Sequence, residues 1–557
     1  MGGGTTEKRS VPAAGAVVSH ARFVAAGVLA SRLAGLARTK VISYLLGLSG
    51  PGDVVTAAFR VPNLLQNLLG DQAMSAAFIP IYSRLLAEGK REQAGRFAGA
   101  VFGLLLAAMG VLVLAGVLAA PVLVAVLNPG FLVDAARVTA GTQHFDRYPL
   151  AVTAARIVFP MAGLLVLAAW AQGVLNSHRR FFLPYIAPVL WNAAIIAMLV
   201  GAAFELGIVP ATAGLDSLAR LVLAGCIGAL VGGLLQLAVQ LPLVLRSMGP
   251  LRPTLSLRAP HVMASLRALG PALAGRGVVQ LSFYLDQVLS SALYPGALIA
   301  LQNGVLFYNL PFAVFATSVA ASELPELAAG RSDPAALAER LRLGLRQVLF
   351  LVAPSTVGYL AFGSLVAGVL AGGRFGSAEQ RLVYLVLAAY TLGMPASAPS
   401  RLLQNAFFAL QDTASPARIA AVRVAVAALI GGGLMLGFDR VPVAALGVAA
   451  QPGDPIFLGA VGLALGSAIG AWVELLLLDR RLSARLGVSI APWRLAAPML
   501  ANAIITALPA AAVWWLLRER VWLLQVIAVP GLFAGLYLAL AHRRQSPELR
   551  RWLGRGG

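Results

Sequence analysis

The sequence predicts an all-α polytopic membrane protein of about fourteen transmembrane helices, with two six-helix lobes around a central cavity and two further helices at the C-terminal end. Three observations predict it. Of the 557 residues, 59% are hydrophobic and only 12% are charged, a balance foreign to water-soluble domains. Apolar runs of about 20 residues recur along the chain, each long enough to cross a hydrocarbon core of roughly 30 Å as a helix. The loops between these runs alternate in positive charge. Backbone polar groups cannot stay unpaired in lipid, which leaves helices or a closed barrel, and the alternating pattern of barrel strands is absent.

The predicted spans, in order, are 17–47, 54–83, 95–127, 149–176, 183–207, 216–245 and 261–294, then 297–328, 335–371, 380–411, 416–438, 456–479, 493–517 and 521–541. Spans 2 and 3 are separated by a loop with Arg84, Lys90, Arg91 and Arg96; spans 4 and 5 by Arg179 and Arg180; spans 6 and 7 by Arg246, Arg252 and Arg258. Arg331, Arg340 and Arg342 follow span 8, and Arg480, Arg481 and Arg485 follow span 12. The intervening loops at 48–53, 208–215 and 295–296 are nearly free of cations. Lys and Arg accumulate on the cytoplasmic side, so this phase places both termini in the cytoplasm, and one missed helix would break it. The same rule accounts for the net charge of +21 without nucleic acid, and the basic loops also suit anionic lipid headgroups. Cys226 is the single cysteine; it rules out an internal disulfide and reads as a small core residue.

A faint repeat runs through the chain. "FRVPNLLQ" through "AAFIP" (59–80) parallels "FYNLPFAV" through "SELP" (307–325), and "NSHRRFFLPYIAP" parallels "ALQDTASPARIAA". Two six-helix copies of the same orientation would enclose a site near the midplane and rock around it. The expected organisation is a disordered cytoplasmic N-terminus (1–15), an N-lobe (16–246, spans 1–6), a C-lobe (259–486, spans 7–12), spans 13 and 14 (490–542), and a basic cytoplasmic tail (543–557).

The informative residues are charges inside spans, which mark pathways because they are costly in lipid. Span 1 carries Arg32 and Arg38, with Ser31 and Gly35 keeping its surface small and polar. Span 2 begins after Asp53 and carries Arg60 seven residues later; Asp53 reads equally as a helix N-cap. Pro62 and Asn63 follow Arg60 and predict a kink or loosened turn. Span 7 carries Arg276 and Asp286, and Glu323 precedes Pro325 near the end of span 8. Snorkelling to headgroups accounts for Arg22 and Arg84; Arg32 and Arg60 read as cavity residues, with Arg38 and Arg276 balanced between the two. Several arginines in one cavity suit an anion, because planar guanidinium groups bind phosphate oxygens in bidentate fashion.

Other chemistry finds no support. His20, His144, His178, His261 and His542 lack metal-ligand spacing, so no metal site and no catalytic residue is assigned. The "GGG" at 431–433 has no P-loop lysine and reads as helix packing. No nucleotide motif is present, so no cofactor is expected, and an ion gradient or the membrane potential is the expected energy source.

At this point the chain resembles a known family. "SRLAGLAR" (31–38), "AAFRVPNLLQNLL" (57–69), "SAAFIPIYSRL" (75–85), "GVLNSHRRFFLPYIAPVLWN" (173–192) and "FFALQDTASPARIA" (407–420) are similar to the MurJ/MviN lipid II flippases of the multidrug/oligosaccharidyl-lipid/polysaccharide exporter superfamily. The resemblance runs in order through most of the chain. It implies a multi-pass protein of the bacterial inner membrane that moves undecaprenyl-diphosphate-linked peptidoglycan precursor (lipid II) from the inner to the outer leaflet by alternating access. It implies partners too: lipid II or a related polyprenyl-diphosphate glycolipid, membrane lipids and, as candidates, cell-wall synthesis proteins. Ser31, Arg32, Arg38, Asp53 and Arg60 match cavity positions that would hold the headgroup, with Pro62 matching the proline beside them. Spans 13 and 14 would form a groove for the lipid tail. Asp286 falls where some members have a carboxylate linked to sodium binding, but span 11 has no Asp or Asn to complete such a site.

The departures are as informative. Thr39 stands where many members have an acidic residue, and Gln66 where members have a cation. Val305, Leu306 and Asn309 stand where members carry span 8 charges, and Arg276 is a candidate replacement for the lost cation. Besides lipid II translocation, two readings stay open: a flippase for another polyprenyl-linked glycan, and a non-transporting scaffold of envelope assembly. Costly interior arginines argue against the scaffold.

Overall fold

The computed structural model describes residues 14–70, 73–312, 333–448, 455–518, 520–544 and 546–552, without the side chains of 14–25, 61, 64, 270–283 and 551–552. Among the described residues the chain is helical, and β structure is confined to two isolated bridges. Span 1 is Ala14–Leu46, span 4 Arg147–Ser177, span 5 Phe182–Glu205, span 6 Leu215–Met248 and span 7 Val262–Ser291. Span 9 is Pro334–Ala367, span 11 Ala414–Phe438, span 12 Gly459–Leu486, span 13 Pro492–Leu517 and span 14 Trp522–Arg543. Span 8 is described over Ala297–Pro311, so the expected Glu323 and Pro325 lie outside the described residues. Local chemistry sets several starts. Asp333 accepts from the N–H groups of Ala335 and Ala336, with Pro334 in the first turn; Ser49 caps span 2 and Asp146 caps span 4 in the same way.

Three spans are broken. Span 2 runs as Gly50–Leu69, then a π-turn at Met74–Phe78, then Ile79–Ala87. The expected loosening at Pro62 and Asn63 does not occur there: the helix passes through Pro62 and ends at Gly70. The Pro62 ring sits inside a helix that neighbouring spans hold in place, whereas Gly70 leaves helical geometry with a ψ of −133°. Span 3 is Arg91–Leu118 followed by Ala120–Leu127, after which the chain turns through 98° into the segment Pro129–Thr139. Span 10 consists of Ser377–Leu392 and Met394–Ala409, bent by 43°.

Among the described residues, nine helices are long and apolar enough to cross a bilayer, or up to eleven when each bent pair counts as one span. Spans 1, 2, 7, 8 and 10 are not among the nine; span 10 counts only as a bent pair, and span 8 is described over 15 residues. Spans 1, 2, 7 and 8 meet centrally: span 2 packs on spans 7 and 8, and span 1 reaches span 8 where Asn303 donates to Ser43. Spans 3–6 and 9–14 supply the apolar casing. Spans 1–6 pack chiefly among themselves, spans 8–12 do likewise, and spans 13 and 14 pack on span 9, where Tyr537 donates to the Phe350 carbonyl at 3.0 Å. Span 7 touches both groups. Of the "GGG" only Gly431 is at a close helix contact: a Cβ on the facing Gly466 would clash with its Cα, while Gly432 and Gly433 face open space. Cys226 is free and fully buried.

Candidate functional site: an arginine-lined centre sealed at one end

The central residues come from spans 1, 2, 7 and 8. Arg32 is exposed and Ser31 half-buried on span 1. One and a half turns on, the Arg38 guanidinium lies 4.8 Å from the centre of the Trp191 ring of span 5, which makes an edge contact with Phe59. The Thr39 hydroxyl is spent on the Gly35 carbonyl at 3.0 Å. Gly35 was expected to have a structural or hinge role. Span 1 passes through Gly35 without a break, and a Cβ there would meet nothing within 4 Å.

Arg60 joins the two halves. Its Nη2 lies 3.5 Å from Oε1 of Gln302 on span 8, and Tyr284 of span 7 donates to its carbonyl at 3.2 Å. Asp286, two residues beyond Tyr284, is half-buried and forms no hydrogen bond or ion pair among the described residues; Arg60 and Arg423 are described cations within its electrostatic reach. Arg276 lies in span 7, but its side chain is outside the described residues. Asn63 is half-buried and Pro62 buried. Val305 and Leu306 are half-buried and Asn309 exposed, so span 8 brings no charge at these positions.

Asp53 is not part of this wall. It is fully buried at the far end of the molecule, where span 1 finishes and span 2 begins, and accepts from Arg147 Nη1 at 3.0 Å. Its oxygens also accept from the backbone N–H of Gly296 at 2.8 Å and of Ile299 at 3.0 Å. The expected capping of span 2 is not its role, because Ser49 caps that helix and Asp53 lies in its first turn; Asp53 caps the start of span 8 instead. Arg147 holds the rest together. Nε and Nη2 bind Asp134 bidentately at 2.6 and 2.9 Å, and Nη2 also reaches the carbonyls of Ser291 and Leu293 at 3.3 and 3.2 Å. Phe131 lies under the guanidinium at 4.4 Å from its ring centre. Arg147, Asp53 and Asp134 are all completely inaccessible to solvent.

This cluster ties two groups of spans together, since Asp53, Asp134 and Arg147 come from spans 1–6 and their surroundings while 291–299 belong to the junction of spans 7 and 8. Further hydrogen bonds flank it: Gly130 N–H to Ser291, Arg137 to the Ala292 carbonyl, and Gln287 to Asn128. Gly296 is required there, with φ at +94° and a would-be Cβ 2.7 Å from the Leu48 carbonyl. A second contact lies at the same end. The Arg374 N–H donates to the Tyr44 carbonyl at 2.9 Å, its guanidinium donates to the Ala213 carbonyl at 2.8 Å, and Lys40 donates to the Ala371 carbonyl.

Sequence reasoning missed Arg147 and Asp134, which lie in polar loop sequence where a charge is unremarkable. It also passed over two interior cations that carry the same signal as Arg32. Arg401 of span 10 stacks on Phe312 at 4.8 Å from the ring centre, and Arg423 of span 11 pairs with Glu474 of span 12 at 2.7 Å. No group of three or more His, Cys, Asp or Glu able to hold a metal occurs among the described residues.

The family model described as "Lipid II flippase MurJ" matches residues 42–530. A lipid II flippase MurJ of Burkholderia cenocepacia is 35% identical over 401 residues, covering 70% of this chain and 73% of the relative. A probable lipid II flippase MurJ of Rhizobium tropici is 32% identical over 417 residues, covering 73% of each. Among solved structures, one described as lipid II flippase MurJ in an inward closed conformation matches with a TM-score of 0.68 at 20% identity, over 93% of this chain and 98% of that one. An inward-facing multidrug resistance MATE family transporter of the MOP superfamily matches with a TM-score of 0.57 at 13% identity, over 82% of this chain and 94% of that one. These two structural likenesses concern the fold.

Proposed function

The chain belongs to the lipid II flippase MurJ family, and on that premise we propose that it moves lipid II, an undecaprenyl-diphosphate-linked peptidoglycan precursor, from the inner to the outer leaflet of the bacterial cytoplasmic membrane. The observation that carries the mechanism is the contrast between two regions: Arg32, Arg38 and Arg60 in the centre, where Arg32 is exposed and Arg38 rests on an indole, and a dry ion lock at the far end. With the basic loops in the cytoplasm, both termini are cytoplasmic, the locked end is periplasmic, and the described state faces inward. The diphosphate enters from the cytoplasmic side and exchanges water for the guanidinium groups of Arg32, Arg38 and Arg60, which match its oxygens geometrically. Residues 16–246 and 259–486 act as the two lobes, and rocking them about the centre parts the lock and exposes the headgroup to the periplasm. The polyprenyl tail needs no polar path; it stays in lipid along spans 13 and 14, whose Ile504, Leu508, Leu516 and Ile527 are exposed.

The switch needs a ligand that binds the outward state better than the inward one, because equal affinity shifts nothing. A mobile cation at Asp286 would compete with the fixed charges of Arg60 and Arg423, so the membrane potential acting on the headgroup is the favoured source of work. Neutral span 8 positions Val305, Leu306 and Asn309 support a second reading, a polyprenyl-linked glycan with a different headgroup. The test is replacement of the resident flippase in a depleted bacterium, with lipid II exposure at the outer leaflet as the readout. Exposure restored supports lipid II transport. Normal membrane expression with no exposure contradicts it, and growth restored only alongside a different outer-leaflet glycolipid favours the second reading.

A further inference from the structure

We infer that Arg423 and Arg401 form a second anion-binding site, in the C-terminal half, for an anionic oxygen group of the translocated headgroup, with Glu474 and Gln404 positioning Arg423. The inference rests on the flippase reading above. Glu474 is buried, its side chain 2% exposed, and both its oxygens are used: one accepts from Arg423 Nη1 at 2.7 Å, the other from Gln404 Nε2 at 2.8 Å. Gln404 lies on span 10 and Arg423 on span 11, so three helices meet at the Glu474 carboxylate of span 12 that holds Arg423.

A purely structural pair would look like the far-end lock, where Arg147 is buried and its Nε, Nη1 and Nη2 all donate to protein oxygens. Arg423 differs. It spends one donor on Glu474 and its side chain remains 38% exposed, although spans 7, 8, 10 and 12 all present groups within its electrostatic reach: Asp286, Tyr308, Arg401 and Glu474. Exposure combined with enclosure means an internal wet face. Arg401 is exposed as well, stacks on Phe312 and has no carboxylate within ion-pair distance among the described residues. Two arginines held near each other inside a membrane protein repel, and with Glu474 already taken by Arg423 and Gln404 the pair keeps a net positive charge. That arrangement is stable when an anion or its hydration sits between them. Aromatic rings complete the site: Phe312 stacks on Tyr308 at 5.7 Å, and Tyr308 lies 5.9 Å from Tyr390. Span 8 thus lends rings, and the charge absent from Val305 and Leu306 comes from spans 10 and 11.

The ligand is a phosphate or a carboxylate oxygen group, and lipid II has both, in its diphosphate and its peptide. Binding to the full-length purified protein in detergent separates them, with lipid II and undecaprenyl diphosphate as the two probes. Arg423→Ala and Arg401→Ala should each weaken lipid II binding about tenfold, the loss of roughly one charge-assisted hydrogen bond, with thermal unfolding close to the parent; Arg423→Gln serves if the alanine variant does not fold. Equal loss for undecaprenyl diphosphate assigns the site to phosphate, and unchanged binding of that probe assigns it to the peptide carboxylates. Glu474→Gln should weaken lipid II binding in the parent and add nothing on Arg423→Ala, as a positioning residue must. Parent-like lipid II affinity in both arginine variants, alongside loss in Arg60→Ala, overturns this site and leaves the flippase reading intact. No lipid II binding by the parent overturns both.

Discussion

Arginine does opposite work in two regions of this molecule. At the far end Arg147 is completely buried, its Nε, Nη1 and Nη2 all donate to protein oxygens, and two carboxylates enclose it. In the centre Arg32 is exposed, Arg38 rests on an indole, and Arg423 spends one donor on Glu474 while its side chain stays 38% exposed. A saturated buried arginine is a fastener. An unsaturated one in an open centre is what we propose as the receptor for an anion. Residue type does not separate the two; the count of donors already taken does.

The comparison breaks first at the lock. Arg147→Ala leaves Asp53 and Asp134 buried without their cation, and should cost about 3–5 kcal/mol, seen as a large fall in the thermal unfolding temperature of the purified protein. Replacing all three by neutral residues (Arg147→Met, Asp53→Asn, Asp134→Asn) should restore most of that stability, because no charge is left unpaired. A triple variant as unstable as Arg147→Ala would mean that shape rather than charge pairing holds this end.

In the centre the expected signs reverse. Arg60→Ala should reduce lipid II exposure in cells by tenfold or more, since a charge-assisted hydrogen bond contributes about 1.5–3 kcal/mol, while its unfolding temperature stays near the parent's. Transport at parental rate would remove Arg60 from the receptor. Gly296→Ala comes next. A Cβ there has to tolerate a φ of +94° and the Leu48 carbonyl 2.7 Å away, and the expected loss is about 1–3 kcal/mol of stability, read by the same thermal assay. The smallest effect belongs to a loop. The Ser415 hydroxyl and backbone N–H, with Arg485 nearby, hold the Asp412 carboxyl below its ordinary range. A depressed carboxylate pKa adds stability above its unfolded value of about 4 and loses it as pH falls through the folded value. The parent should show a slight loss of stability below about pH 4 that Asp412→Asn lacks.

Much of the fold was legible because a bilayer imposes one period and one length on every span. The breaks were less so. Pro62 looked like the interruption of span 2, yet the helix ends at Gly70, because a proline inside a packed helix loses one hydrogen bond whereas a glycine can leave helical geometry altogether. For the site, the cost of charge in lipid marked Arg32, Arg38 and Arg60, and the same rule reaches Arg401 and Arg423. The lock was not legible. Asp53 and Arg147 are 94 residues apart, and Gly296 and Ile299 contribute only backbone, for which side-chain identity carries no signal. Asp53 could be read as a cap; which helix it caps is a tertiary fact.

The central claim is that the far end must part for the headgroup to leave. Ser43 and Asn303, from spans 1 and 8, meet there at 3.4 Å, and the chain's single native cysteine, Cys226, is buried. Ser43→Cys with Asn303→Cys, joined by oxidation or a short bifunctional thiol reagent in cells, should abolish lipid II exposure at the outer leaflet, and reduction of the oxidised pair should restore it. Undiminished exposure with the cross-link fully formed would contradict the account.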